Sequence, residues 1–286
     1  MSIPLAVFRY NNLPIYYRPN TVDEAVLAHS FSNDIFYART PEYKGSKNAL
    51  VIDVGGHIGT FSIYSLLSFK AGKVIALEPN KENFQILNKN VLDNHLSDRI
   101  VMMPYALSSE NGTVKLYLDE ENWGHSLTNQ NLKNYEEVLS ITLPSLLEKH
   151  NIEECDLIKF NCEGAEFRII LSTDLSTLRK IKMMIILFHE DMDSAGSRVE
   201  LVNFLKSNGF LIRIAHEGSQ RGWIIAKNKR FYSLFDHSVF HLKNWLQTRF
   251  GEITRKLQGS LAKTYLWGFV KRMRDTLNKQ DHQTKS

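Results

Sequence analysis

The chain has 286 residues, of which 43% are hydrophobic, 23% charged and 11% aromatic; this excludes disordered and fibrous classes and allows one large core with appendages. Its formal charge of +4 is uneven: residues 230–286 hold eleven Lys/Arg against four Asp/Glu, whereas residues 1–229 hold 24 against 27. A slightly acidic body with a basic tail argues against a general nucleic-acid binder.

The longest uninterrupted apolar run, Met183 to Phe188, is far shorter than the roughly 20 residues of a membrane span. The two cysteines, Cys155 and Cys162, flank and enter one predicted strand. Strand geometry separates them by about 20 Å, too far to pair. Free thiols, and an N-terminus (MSIPLAVFRYNN) without a basic and then apolar signal pattern, lead us to expect a cytoplasmic protein.

Residues 1–47 are mixed and aromatic-rich, with a short helix expected near Asp23–His29. From there the pattern is regular. Ala49–Val54 is a short apolar run ending in Asp and glycines, which suits a buried parallel strand, and Thr60–Phe69 follows with helical spacing. Lys73–Leu77 predicts a second strand and Lys81–Val91 a second helix, with Phe84, Leu87 and Val91 on one face. Arg99–Pro104 predicts a third strand and Thr113–Leu118 a strand or hairpin arm, followed by a polar stretch, Asp119–Glu137. Leu143–His150 is an expected helix, Asp156–Phe160 a fourth strand, Phe167–Leu171 a short helix and Lys182–Phe188 a fifth strand. Arg198–Ser207 is an expected helix stopped by Asn208-Gly209, and Phe210–Ala215 with Gly222–Ala226 a late hairpin. Strands alternating with helices predict an α/β fold with a doubly wound, mostly parallel sheet covered by helices on both faces. We expect residues 1–47 to pack on a core domain of residues 48–229, with 230–286 a basic, aromatic-rich helical extension.

The segment VIDVGGHIG, Val51–Gly59, lies between a buried strand and a helix. Gly55 and Gly56 allow a sharp turn and close approach of a ligand, and Gly59 allows the helix to start close to the sheet. The second strand ends in Leu77-Glu78-Pro79-Asn80, so Glu78 stands at its tip, where a carboxylate can accept both hydroxyls of a ribose. A dinucleotide pyrophosphate favours G-x-G-x-x-G at a helix N-terminus. Here an acid, Asp53, precedes the first glycine. It is unfavourable beside a pyrophosphate and suited to an ammonium, or to water bound near one. The expected cofactor is therefore S-adenosylmethionine.

With these stretches the sequence resembles the FkbM-type methyltransferase family. The matching segments are VIDVGGHIGTFSIYSL, IALEPNKENFQILNKNV, the Pro104–Ser108 turn, WGHSL at Trp123–Leu127, ITLPSLLEKH at Ile141–His150 and DLIKFNCEGAEFRIIL at Asp156–Leu171. They cover roughly residues 48–190. The first marks the methyltransferase superfamily and the last narrows it to this family. The resemblance implies a seven-stranded Rossmann-like sheet and O-methyl transfer to a hydroxyl, often on a sugar or natural product. It also implies that Ala106, after the third strand, packs near the adenine, and it extends the cofactor set to Pro79. The family has Asp where Asn161 stands, Leu-Asp where Leu143-Pro144 stands, and a polar residue where Tyr105 stands.

Methyl transfer needs alignment of acceptor and methyl carbon and removal of a proton. The strand ends put forward Asn161 and Glu163 after the fourth strand, and His189, Glu190 and Asp191 after the fifth. Glu163 reads as a base, a metal ligand, an acceptor for the cofactor ammonium, or a carboxylate at a helix N-terminus. His189 reads as a proton acceptor or as a strand-end histidine that is merely hydrogen-bonded. The same oxygen-rich groups leave a Mg²⁺ site open as an alternative. His125, Ser126 and Glu190 are candidate contacts to the substrate. The expected partner is a hydroxyl-bearing small molecule or glycan. Asn161-Cys162-Glu163-Gly164 lacks the Pro-Pro-aromatic run of base amino-group methylation, so no specific nucleic acid is expected. Asn161 removes one potential base, which keeps open a non-catalytic cofactor-binding or interaction protein of the same fold. In the tail, Leu257, Leu261, Tyr265 and Phe269 have helical spacing among Lys and Arg. That pattern is read as packing on the core or on a second copy, as peripheral membrane contact, or as contact with an acidic partner.

Overall fold

A computed structural model describes residues 4–32, 43, 45–119, 125–128, 133–191, 196–217, 220–233 and 240. The chain divides into two compact units, Met1–Phe231 and Tyr232–Ser286. The tail readings lie almost wholly outside the described residues. Among the described residues no helix is long and apolar enough to cross a membrane.

A hairpin opens the chain, β1 (Ala6–Tyr10) and β2 (Leu13–Tyr17). Asn11 and Asn12 form its turn with φ of 47° and 67°, the left-handed pair that matches strand twist in a two-residue loop. Helix α1 (Val22–Leu27) follows, capped by the Thr21 hydroxyl, and runs into a π-helical turn, Ala28–Ser32. The hairpin was not anticipated in the sequence. It sits on α3 (Lys81–Leu92), where Asn90 accepts from the N–H of Tyr16 and donates to its carbonyl, and Asn94 donates to the Pro14 carbonyl.

The main sheet has seven strands in the order β5 (Ile100–Met103), β4 (Lys73–Leu77), β3 (Leu50–Val54), β9 (Leu157–Phe160), β10 (Met183–His189), β12 (Arg221–Asn228) and β11 (Phe210–Glu217). All adjacent pairs from β5 to β10 are parallel, and β12 runs antiparallel to both its neighbours. The doubly wound, mostly parallel α/β fold expected from the sequence is the fold observed. Alternation along β3 explains the two cores. Ile52 and Val54 join Leu146 of α4 (Leu143–Lys149), Phe167 of α5 (Ala165–Leu171) and Leu205 of α7 (Arg198–Ser207) on one face. Val51 joins Phe61 and Tyr64 of α2 (Thr60–Leu67) and Leu87 of α3 on the other. A short helix α6 (Leu175–Leu178) precedes β10.

The polar stretch after the third strand is partly a strand instead. β8 (Tyr135–Ile141) pairs antiparallel with β7 (Gly112–Tyr117) and parallel with the two-residue β6 (Ala106–Leu107), forming a separate three-stranded sheet. Its apolar face is narrow, with Leu116, Val138 and Ala106 buried together, so little of it shows as periodicity.

The chain leaves β3 toward β4 and later returns to β9 on the other side of β3. In open α/β sheets the crevice at such a reversal, beyond the carboxyl ends of the strands, is where ligands bind.

Candidate active site

A cavity of about 470 Å³ opens at this crevice. It lies within the range of roughly 300–1,000 Å³ typical of small-molecule sites. Gly55, Gly56, Glu78, Pro79, Ala106, His125, Asn161, Glu163 and His189 all line it. Asp53, Gly59, Ser126, Glu190 and Asp191 do not reach it, which makes five of the residues put forward.

Asp53 lies beneath the loop instead. Its side chain is 0% exposed and accepts from the Ser62 hydroxyl at 2.7 Å and from Lys159 Nζ at 3.0 Å. Asp53 and Lys159 are register partners on adjacent parallel strands, so their side chains share a face. Lys159 Nζ also donates to the Gly55 carbonyl at 2.7 Å. Asp53 therefore braces the glycine loop from beneath instead of meeting a ligand ammonium. Gly59 packs against Leu87 of α3, with φ +90°, and also lies outside the cavity wall. At Gly55, φ is +73° and a Cβ would come within 1.9 Å of the Asn161 carbonyl oxygen. That glycine is thus required by its own chain, where the loop crosses the end of β9, as well as by any ligand.

Ser126, read as a substrate contact, is 0% exposed and donates its hydroxyl to the Glu163 carbonyl. Ser126 is also bridged to Tyr117 through both backbone hydrogen bonds. It thereby holds Glu163, which has a left-handed φ of +49° that a glutamate adopts only when its surroundings over-determine it. Glu190 accepts from the N–H of Arg198 at 2.7 Å and faces away from the cavity, and Asp191 pairs with Arg221. Among the described residues no group of three or more His, Cys, Asp and Glu side chains is placed to hold a metal ion.

At the β4 end, Glu78 is nearly buried and accepts from the backbone N–H of His57 at 2.8 Å and of Asn80 at 3.0 Å. Burial raises its pKa to about 7, against those two hydrogen bonds, which lower it. At the β10 end, His189 Nε2 lies 3.2 Å from Glu163 Oε2, and Nδ1 lies 3.3 Å from Glu166 Oε1. Burial pushes the imidazole pKa down, but the facing Glu163 and Glu166 outweigh it and the net shift is upward. Burial raises Glu163 as well, against the lowering effect of His189. Glu166 was missed in the sequence reading. It occupies the first turn of α5 and carries the helix N-terminal carboxylate role considered for Glu163. Its place as the second glutamate of the run Glu163-Gly164-Ala165-Glu166 was the signal available.

The N-terminal segment also enters the wall, with Val22, Val26, His29 and Ser30. Arg18 and Asp23 form a buried pair at 2.8 Å, Arg18 donates to Asn83, and Asp23 lies 3.5 Å from His57 Nε2. Burial lowers the His57 pKa to about 4. Among the described residues His57 Nδ1, His125 Nε2 and Asn161 Oδ1 are buried without a hydrogen-bond partner, and all three belong to residues of this wall. Unpaired buried polar atoms are costly, so their concentration here fits a polar ligand that completes them.

The fold and cavity define a doubly wound α/β protein with its binding site at the reversal of strand order. The Methyltransferase FkbM domain matches residues 53–212, more than half of the chain, and the chain belongs to that methyltransferase family. Among curated proteins it is similar to Methyltransferase sdnD of Sordaria araneosa, 24% identical over 194 residues that cover 57% of this chain and 74% of that one. It is also similar to the AMB antimetabolite synthetase AmbE of Pseudomonas aeruginosa, 23% identical over 61% of this chain, but it spans only 10% of that protein. Among solved structures, the Methyltransferase FkbM from Methylobacillus flagellatus KT superposes with a TM-score of 0.47 at 16% identity, covering 66% of this chain and 46% of that one. M. capricolum TrmK in complex with S-adenosyl-homocysteine gives a TM-score of 0.39 at 15% identity, covering 85% and 95%.

Proposed function

We propose that the chain is an S-adenosylmethionine-dependent O-methyltransferase acting on a hydroxyl of a glycan, sugar or related small molecule. The observation that carries this reading is the pairing of two unlike ends in one cavity. Glu78 is a fixed, backbone-held carboxylate at the tip of β4. Glu163 and His189 are a side-chain pair two strands beyond β3. Strand spacing of about 4.8 Å puts β4 and β10 roughly 14 Å apart, which leaves room for an extended nucleoside between them.

In this reading Glu78 accepts the ribose hydroxyls, while Gly55, Gly56, Pro79 and Ala106 line the nucleoside. Asn161 offers its unpaired Oδ1 to the bound molecules. The cofactor supplies an electrophilic methyl group on a positively charged sulfur. Glu163, paired with His189, would take the proton from the acceptor hydroxyl. With His189 as imidazolium, Glu163, Glu166 and His189 together carry one negative charge. Uptake of the acceptor proton by Glu163 would neutralise that charge, which matches the loss of one positive charge that methyl donation would entail, so the buried site would keep its electrical balance. Asn161 in place of an acid is then no obstacle, because the base stands two residues further on.

The test is transfer of labelled methyl from S-adenosylmethionine to a panel of sugars and hydroxylated small molecules, with the product's methyl located on oxygen. A positioned base contributes about 10²–10⁴ in rate, so His189→Gln should lower turnover by that order with cofactor affinity nearly intact. Cofactor binding without transfer to any acceptor, or full turnover in His189→Gln, would favour the non-catalytic alternative.

A further inference from the structure

We infer that Glu166 is a positioning residue that keeps one proton on Nδ1 of His189, leaving Nε2 as the nitrogen that exchanges protons with Glu163 and the acceptor. The inference rests on the reading of Glu163 and His189 as the proton-accepting pair. Glu166 is 0% exposed. Its Oε1 accepts from the backbone N–H of His189 at 2.8 Å and lies 3.3 Å from Nδ1 of the same residue. Its Oε2 accepts from the N–H of Gly164 at 3.0 Å. One carboxylate therefore ties the turn after β9 to the last residue of β10 and orients the ring at the same time.

The two carboxylates on this imidazole are not equivalent. Glu163 is 14% exposed and lines the cavity, whereas Glu166 does not reach it. A substrate hydroxyl can replace the imidazole as partner of Glu163. Glu166 is fully buried outside the cavity, so a substrate hydroxyl does not reach it and the proton on Nδ1 stays in place. A histidine whose second nitrogen is held by a buried carboxylate presents a single tautomer to its substrate. The other charges facing the trio are Arg221 on β12 and Lys159 on β9; Arg221 opposes protonation of His189 and Lys159 lowers the Glu163 pKa, and the Cys162 thiol lies 3.6 Å from Glu166 Oε2. The upward shift of His189 shows that the carboxylates prevail.

The full chain, labelled with ¹⁵N-histidine, tests this by nitrogen chemical shifts across a pH titration, with and without S-adenosylhomocysteine. His189→Gln identifies the signals. At high pH, where the ring is neutral, wild-type His189 should carry its proton on Nδ1. Glu166→Gln should abolish that preference and lower the ring's proton affinity by roughly 10- to 150-fold, since a hydrogen bond to a charged group contributes roughly 1.5–3 kcal/mol. Affinity for S-adenosylhomocysteine, measured by calorimetry, should stay within about threefold, because Glu166 lies outside the cavity wall. A proton on Nε2 in the neutral wild type, or an unchanged titration in Glu166→Gln, overturns the inference. If Glu166→Gln does not fold, the wild-type tautomer decides alone. Failure of the wild type to bind S-adenosylhomocysteine would count against the proposed activity, while the tautomer, readable without ligand, would still decide on Glu166.

Discussion

Glu78 and Glu163 stand at opposite ends of one cavity, and burial raises the pKa of both. They differ in what holds them. Glu78 rests on two backbone N–H groups that cannot move or change charge. Glu163 rests on an imidazole that can do both, and its own backbone is held in the left-handed region by a serine hydroxyl. A carboxylate fixed by backbone is suited to recognition; one coupled to a histidine is suited to carrying a proton. In the proposed reading the β3–β4 half therefore binds and the β9–β10 half reacts.

The largest expected effect comes from the platform beneath the binding half. Lys159→Met leaves the buried Asp53 charge unpaired and should destabilise the fold by about 3–5 kcal/mol, read by thermal or denaturant unfolding. The double variant Asp53→Asn with Lys159→Met should recover more than half of that. Equal instability of single and double variants would mean that the pair does not hold the glycine loop as described.

Glu78→Ala sharpens the contrast directly. Two ribose hydrogen bonds left unmade at roughly 1–3 kcal/mol each should weaken S-adenosylhomocysteine binding by about 30-fold or more in calorimetry. Unchanged affinity in a folded variant would break the assignment of the β4 end.

The pH dependence should follow Glu78 with a definite sign. Its carboxyl titrates at about 7 in the fold, against an ordinary value of 4.5. The folded state holds this proton more tightly than the unfolded chain. The contribution to stability is therefore fully present below pH 4.5 and lost as pH rises through about 7. The ionised form is the better acceptor of ribose hydroxyls, so cofactor affinity should move the opposite way and climb over the same window. Glu78→Gln should flatten both curves. A binding curve that stays level from pH 5 to 8 in the wild type would place the ribose elsewhere.

The smallest effect concerns the serine that reaches Glu163. Ser126→Ala removes the hydroxyl's bonds to the Glu163 carbonyl and to Thr128 and should lower stability by about 1–2 kcal/mol, with cofactor affinity unchanged, since the residue is buried outside the cavity wall. A large loss of cofactor affinity would return Ser126 to the cavity wall.

Much of this architecture was legible in the chain. The first two strand–helix units combine apolar runs, helical spacing and glycines within short distances, so local signals agree; Lys73–Leu77 has the bounds expected of it and Lys81–Leu92 differs by one residue. The late hairpin was legible for the same reason. The β1–β2 hairpin and β8 were not. The first turns on Asn11-Asn12 without a glycine, and the second alternates weakly because its three-stranded sheet buries little.

What the sequence by itself determined was the class of sheet, the cofactor loop and the short set of strand-end residues from which a site could be built. Those depend on periodicity and on neighbours along the chain. The assignment of each carboxylate was decided only by tertiary structure. Asp53 and Lys159 meet because β3 and β9, 106 residues apart at that pair, lie side by side. Glu166 rather than Glu163 is buried against Nδ1 of His189 because α5 starts directly beneath the end of β10. Ser126 turns inward because its bridge to Tyr117 points it at the Glu163 carbonyl. A charged side chain looks alike in sequence whether it faces a ligand or a neighbour. Which one it faces depends on what the fold brings within about 3 Å, and spacing along the chain does not encode that distance.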